Sequence, residues 1–230
     1  MEKKEKKVCP CQKKQHDKMK KLEIEFPALL FTPSLMLLCG AKGAGKSTLA
    51  CNLLLTTYKN QFKTITFVSP TFEAQLPILW GKLDPEGIFV YESLTQEFVE
   101  NYLKTAVLST GHNLLILDDC ANQQRQIKGD SWNKLVSNSR HYNLSIWCLN
   151  QSIIQSETIT RQNADVIIAW PSCSFREREC LYQSRSSVDR KSFLQLFQTA
   201  TDKPRSFLVS TVKAGKLKFF MNDFKTEINT

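Results

Sequence analysis

The sequence predicts an α/β fold organised on a mostly parallel central sheet, and three observations carry that expectation. Short apolar runs of β type alternate along the chain with segments whose apolar residues recur at helical spacing. One such run, Leu35-Met36-Leu37-Leu38-Cys39, passes directly into Gly40-Ala41-Lys42-Gly43-Ala44-Gly45-Lys46-Ser47 and then into the helical Leu49-Ala50-Cys51-Asn52-Leu53-Leu54. That is G-x-x-x-x-G-K-S in the strand–loop–helix setting its chemistry requires. A later run, Asn113-Leu114-Leu115-Ile116-Leu117, is continuously apolar, as strands buried on both faces are, and it stops at Asp118-Asp119.

Taken in order, residues 1–22 stand apart as a basic leader. They hold nine lysines against Glu2, Glu5 and Asp17, which leaves only +3 of the net charge of +9 for the rest of the chain. Such a leader suits contact with nucleic acid or another polyanion, or is simply a solvated segment. Residues 23–230 are expected to form the α/β domain. Strands are expected at 35–39, 64–68, 88–91, 114–118, 145–149 and 166–169. A helix over 95–108 carries Phe98, Val99, Tyr102, Leu103, Ala106 and Val107 on one face, with Ser93 and Gln96 as its capping box. Another, near 131–141, has a narrower stripe of Trp132, Leu135 and Val136. Two more are expected near 174–184 and 189–200, the first bearing interleaved Arg176, Glu177, Arg178 and Glu179 that read as a salt-bridged face. The period then changes, and 206–210 and 217–221 flank Ala214-Gly215 as a C-terminal β-hairpin. The polar stretch 121–130 reads as a loop.

Composition excludes several classes. Of the eight cysteines, Cys39, Cys51, Cys120 and Cys148 lie in or beside apolar segments, where a free thiol behaves as a small hydrophobe, so a reducing compartment is expected rather than a disulfide framework. Cys9, Cys11 and His16 do not have zinc-ligand spacing. The lysine-rich start is no signal peptide, and the apolar run at 26–39 is interrupted by Thr32, Pro33 and Ser34, too short to cross a bilayer. A soluble, intracellular protein without a membrane partner is expected.

The loop after the first strand supplies phosphate chemistry. Its glycines let successive backbone N–H groups turn inward as an anion nest, and the next helix contributes its positive end. The cradle comprises Gly40, Ala41, Lys42, Gly43, Ala44, Gly45, Lys46, Ser47 and Thr48. Lys46 reaches the β- and γ-phosphates, and the Ser47 hydroxyl ligates Mg²⁺. Ligands gather at the carboxyl ends of parallel strands. Asp118 is therefore placed to hold Mg²⁺ opposite Ser47, and Asp119 to orient or deprotonate the water that attacks the γ-phosphate. The next strand runs into Asn150-Gln151. If that strand lies between the first strand and the aspartate strand, Gln151 can bond the γ-phosphate or the attacking water. Charge on the transferring phosphoryl group is often met by an arginine from a neighbouring subunit, for which Arg140 is the first candidate and Arg161 the second.

Together, Gly-Ala-Lys-Gly-Ala-Gly-Lys-Ser, Leu-Leu-Ile-Leu-Asp-Asp, Ser-Arg-His-Tyr-Asn-Leu-Ser-Ile and Asn-Gln-Ser, in that order, resemble the poxvirus-type genome-packaging ATPases of large DNA viruses and virophages, within the FtsK/HerA superfamily. The most specific run is 139–151, and the likeness extends from 35 to about 170, with a looser match at the hairpin. The resemblance implies a P-loop NTPase of RecA-like, three-layer build with an extra strand between the two nucleotide-binding strands. It also implies ATP and Mg²⁺, a pentameric or hexameric ring, and double-stranded DNA driven into a preformed capsid, with capsid proteins as partners. The place of action would be the host-cell cytoplasm, in a viral factory, or the virion. Carried over by position, Lys46 and Ser47 bind phosphate and metal, Asp118 binds metal, Asp119 activates water, Gln151 senses and Arg140 acts in trans. Asp119 departs from the glutamate common in the wider class, and the basic leader has no counterpart.

Other readings fit less well. No Asn-Lys-x-Asp tetrapeptide for guanine is present. A small-molecule kinase needs neither a second carboxylate after the aspartate strand nor a trans arginine. A nucleotide-gated DNA-binding module, or an AAA+-type loader or helicase with slow hydrolysis, stands as the alternative. For a translocating motor, Arg125 and Lys128 are candidate contacts to DNA phosphates.

Overall fold

Among the described residues, nine strands join in one sheet of order β3-β2-β4-β5-β1-β6-β7-β8-β9. The structure is a computed structural model that describes residues 21, 25–30, 33–71, 87–109, 111–127, 130–172, 174–185 and 188–228. The strands are β1 (Leu35–Cys39), β2 (Thr64–Val68), β3 (Ile88–Tyr91), β4 (Asn113–Asp118), β5 (Leu144–Asn150), β6 (Val166–Ala169), β7 (Leu208–Lys213), β8 (Lys216–Phe220) and β9 (Glu227–Ile228). Pairing is parallel from β3 through to β6 and antiparallel from β6 to β9.

The helices are α1 (Lys46–Leu55), α2 (Gln96–Leu108), α3 (Ala121–Gln124), α4 (Ser131–Asn138), α5 (Thr158–Asn163), α6 (Phe175–Ser184) and α7 (Arg190–Ala200), with a 3₁₀ turn at Ile153–Gln155. They divide between the two faces because side chains alternate along each strand. Leu35 and Leu37 of β1 pack with Val99 of α2, Leu135 of α4, Leu181 of α6 and Phe193 of α7. Met36 and Leu38 turn the other way, into a second core with Ala50 and Leu54 of α1, Trp147 of β5 and Leu29. Every residue of β1, β4 and β5 is buried, and each fully buried leucine is worth about 2 kcal/mol of transfer free energy. The three layers and the mostly parallel sheet are those the sequence predicts.

Boundaries follow the sequence closely where strands are buried. Strands 35–39, 64–68, 88–91 and 166–169 are as expected, β4 extends by one residue and β5 by one at each end. The expectation differs at turns and caps. The hairpin arm predicted at 206–210 runs Leu208–Lys213, because Ala214 and Gly215 both take positive φ and this two-residue turn pairs Lys213 with Lys216. Thr95 rather than Ser93 caps α2, accepting from the Phe98 N–H at 3.1 Å, and Gln96 instead donates to Glu100 and Ser131. Val107, expected on the apolar face of that helix, is 60% exposed. Helix α4 stops at Asn138, short of 141, and the expected loop at 121–130 opens with α3. The leader through residue 20, with Cys9, Cys11 and His16, lies outside the described residues, as does Lys128. No helix among the described residues is long and apolar enough to cross a membrane.

A polar network closes the amino edge of the sheet. Asp165, just before β6, accepts from the Leu35 N–H at 2.9 Å and from the Arg140 guanidinium. Behind it, buried Arg185 donates to the Ala164 carbonyl at 2.5 Å and to Ser210 Oγ at 3.2 Å. Burial raises the Asp165 pKa, opposed by the Leu35 N–H and by Arg140, and burial brings Arg185 down to about 10 against the pull of Asp165. Removing Asp165 strands a buried cation and a backbone donor. Asp165→Ala is expected to lower stability by about 3 kcal/mol. Arg140→Ala, at a side chain 67% exposed, is expected to cost under about 1 kcal/mol. Urea unfolding of the two variants checks the difference.

Candidate functional site

Strand register assembles the site at the opposite, carboxyl edge. Cys39 pairs with both Asn150 and Ala169, and Asp118 pairs with Leu149, so β1, β4, β5 and β6 end together. Pairing continues one step outward through Gly40 N–H to Asn150 O at 3.2 Å, Asp119 N–H to Leu149 O at 3.0 Å and Trp170 N–H to Cys39 O at 2.9 Å. The order β4-β5-β1 puts the Gln151 strand between the loop strand and the aspartate strand, as the sensor assignment requires.

The loop turns where glycine permits it. Gly45 has φ of 103°, a conformation costly for a side-chain-bearing residue, and it accepts from the Leu49 N–H at 2.8 Å as α1 begins. Gly40 is required for closeness instead: a Cβ there would lie 2.8 Å from Cβ of the buried Trp170. No side chain caps α1 and no acidic residue stands in its first turn, so its positive end faces the loop uncompensated.

Lys46 lies back along the loop, donating to Gly40 O at 2.7 Å and Ala41 O at 3.2 Å. Burial pushes its pKa down, while Asp118 and Asp119 oppose the shift. Ser47 Oγ donates to Asp118 Oδ2 at 2.9 Å, and Asp118 is buried. Asp119 is exposed and holds a left-handed backbone, φ 61°, a strained geometry for aspartate that aims its carboxylate at Gln151. The Gln151 amide nitrogen donates to both Asp119 oxygens, at 2.9 and 2.8 Å. Thus Lys46, Ser47, Asp118, Asp119 and Gln151 meet at one edge, around the Gly40–Thr48 turn.

The donor set fits Mg²⁺. A serine hydroxyl and a carboxylate are hard oxygen donors, and two neighbouring ligands of an octahedral Mg²⁺ at about 2.1 Å lie about 2.9 Å apart. That is the separation of Ser47 Oγ and Asp118 Oδ2. The nearby thiols offer no nucleophile, since burial raises Cys39 and Cys120 to about 12.

The arginines lie elsewhere. Arg140 is at the amino edge, about 17 Å from the loop by the rise of a five-residue strand, so it does not serve its own phosphate loop. Arg161 donates to Ser156 O and, at 3.1 Å, to Thr158 Oγ1. Arg125 donates to Ile154 O at 3.0 Å and pairs with Glu157 at 3.4 Å.

One part of the site escaped sequence reasoning. A cavity of about 290 Å³ lies against the loop, lined by Gly40, Ala41, Gln151, Trp170, Glu177 and Arg178. In place of the single salt-bridged helix expected over 176–190, Glu179 of α6 pairs with Arg190 at the start of α7, at 2.8 Å. Glu177 instead accepts from the Ser172 hydroxyl, and Arg178 turns to the cavity. Their spacing to the buried Leu181, three and four residues on, is the signal that places 177 and 178 on the inner face of α6.

Known proteins share this architecture. The family model described as Poxvirus A32 protein matches residues 21–213. Uncharacterized protein 015R of Frog virus 3 (isolate Goorha) is 20% identical over 187 residues, which are 78% of this chain and 57% of that protein. The chain therefore spans little more than half the length of that relative. The genome packaging NTPase B204 of Sulfolobus turreted icosahedral virus 2, solved with AMPPCP, superposes with a TM-score of 0.63 at 19% identity, covering 81% of this chain and 96% of that one. The DNA-packaging ATPase B204 of Sulfolobus turreted icosahedral virus gives 0.64 at 17% identity, covering 82% and 97%. At these identities the structures establish a shared fold.

The two glycines give separate tests of the loop. Gly45→Ala is expected to strain the backbone by about 1–2 kcal/mol, and Gly40→Ala to push Trp170 from its seat. Each is expected to weaken ATP binding at least about tenfold, which titration with a fluorescent ATP analogue measures.

Proposed function

The chain belongs to the Poxvirus A32 protein family, and from that premise we propose that it is an ATP-hydrolysing motor that moves double-stranded DNA, packaging a viral genome into a preformed capsid. The observation that carries the proposal is the meeting of Ser47 with Asp118 beside the Asp119–Gln151 pair, at the mouth of a phosphate loop.

In this reading the loop amides and the N-terminus of α1 hold the β- and γ-phosphates. Lys46 leaves the Gly40 and Ala41 carbonyls for the phosphate oxygens, and its positive charge follows the charge developing there. Ser47 and Asp118 would hold Mg²⁺, whose charge would offset that of the triphosphate. Asp119 takes the proton of the attacking water as the new phosphorus–oxygen bond forms. The bond from the γ-phosphorus to the bridging oxygen breaks, and its electron pair leaves with ADP. Gln151 steadies the water or the γ-phosphoryl oxygens.

The site is completed from outside the chain. Arg140, exposed at the far edge, is set to act on a neighbouring copy's triphosphate in a pentameric or hexameric ring, with Asp165 orienting it. Arg161 is the second candidate for that role. DNA contacts, with Arg125 and Lys128 as candidates, go to phosphates, so binding is expected to weaken steeply with salt and to show little sequence preference. The basic leader serves as a tether for polyanions, and capsid proteins are the docking partners.

Steady-state ATP hydrolysis, with and without long double-stranded DNA, tests the proposal. Wild-type turnover is expected to rise with DNA and to fall at least about a hundredfold in Lys46→Ala. Tight ATP binding with negligible turnover in both conditions contradicts it and favours a nucleotide-gated DNA-binding module.

A further inference from the structure

Gln151 offers one donor nitrogen, and Asp119 receives it across both carboxylate oxygens, at 2.9 and 2.8 Å. That nitrogen takes the inward-facing lone pairs of both carboxylate oxygens and so competes with a water for Asp119. While that two-point contact lasts, Asp119 is engaged by Gln151. What holds it there is visible in the chain on either side.

Gln151 leads directly into the turn Ile153–Gln155, which Ser152 and Gln155 fix by a reciprocal capping box. Arg125 follows α3, a few residues beyond Asp119 in the segment after β4. Its Nη2 donates to Ile154 O at 3.0 Å inside that turn, and its Nε pairs with Glu157 at 3.4 Å just beyond it. One guanidinium thus ties the segment after the aspartate strand to the segment after the glutamine strand. The Arg125 side chain is 48% exposed and Glu157 36% exposed, so an outside anion has access to the same guanidinium.

Resting on the proposed function, the geometry points to Arg125 as a polyanion-sensitive clamp: it holds the Gln151 turn in the resting register, and a nucleic-acid phosphate that captures it frees Gln151 from Asp119. Phosphate matches the guanidinium fork at least as well as a single carboxylate contact, so DNA competes directly with Glu157. Once the clamp opens, the turn shifts, the amide nitrogen moves to the γ-phosphoryl group and Asp119 accepts the water. Arg125 is a positioning residue in this scheme, and DNA binding and hydrolysis are coupled through one two-state contact.

Glu157→Gln separates the clamp from DNA capture, because it removes the ion pair that anchors the guanidinium while Arg125 keeps its bond to Ile154 O and its charge for phosphate. DNA-free turnover of Glu157→Gln is expected to rise about three- to tenfold towards the DNA-stimulated rate, with DNA affinity kept. Arg125→Ala is expected to raise DNA-free turnover similarly and to lose most of the DNA stimulation. The double variant is expected to be no more active than either single one, since both open the same contact. DNA-free turnover at the wild-type level in both single variants, with only DNA affinity reduced in Arg125→Ala, overturns the clamp and leaves Arg125 as a DNA contact alone. Absence of DNA-stimulated turnover in the wild type is a different failure, that of the motor itself.

Discussion

The site depends on one constraint, the in-register parallel pairing of β4, β5, β1 and β6. Side chains alternate with a period of two, so a one-residue slip of β4 against β5 would turn Asp118 and the core leucines of that strand to the wrong faces. Register is held because every apolar residue of these strands packs into one core or the other. It is held at the amino edge by Asp165, which accepts from the Leu35 N–H. At the carboxyl edge, the Gly40, Asp119 and Trp170 N–H groups continue the pairing past the strand ends. The phosphate loop and the two carboxylates therefore meet as a consequence of packing that lies far from the chemistry.

Charge at that edge is arranged for a guest that brings more. Lys46 has two carboxylates for neighbours and rests on backbone carbonyls, while Ser47 and Asp118 hold each other at the spacing of adjacent Mg²⁺ ligands. Asp119 holds a strained backbone at φ 61°, and its carboxylate meets Gln151. The two aspartates, adjacent in sequence, thus have separate partners, Ser47 for Asp118 and Gln151 for Asp119.

Much of this was legible in the sequence because buried strands and phosphate loops have local signatures. The apolar runs located the six parallel strands, and the Gly40–Ser47 spacing with Asp118 and Asp119 marked residues that the fold brings to one edge. The placement of Gln151 beside the loop followed once its strand was set between two others. What escaped was set by tertiary contact. The short α5 carries no apolar stripe, and only Thr160 in it is buried. Thr95 and Ser93 are equally good caps by type, and position in space decided between them. The expected salt-bridged face of α6 hid Glu177 and Arg178, because neighbours in a charge run are sorted by which side the helix buries. For Arg140, sequence gave its place before β5 but not its grip on Asp165, a partner 25 residues away.

The central claim is that Ser47 and Asp118 close a Mg²⁺-dependent triphosphate site on this edge. Calorimetric titration with ATP, in Mg²⁺ and in excess chelator, tests it most directly on the wild type and Asp118→Asn. The wild type is predicted to bind ATP at least about tenfold more tightly with Mg²⁺, and Asp118→Asn to lose that difference while still binding in chelator. Equal affinity with and without Mg²⁺ in the wild type, or an unchanged Mg²⁺ dependence in Asp118→Asn, would contradict the account.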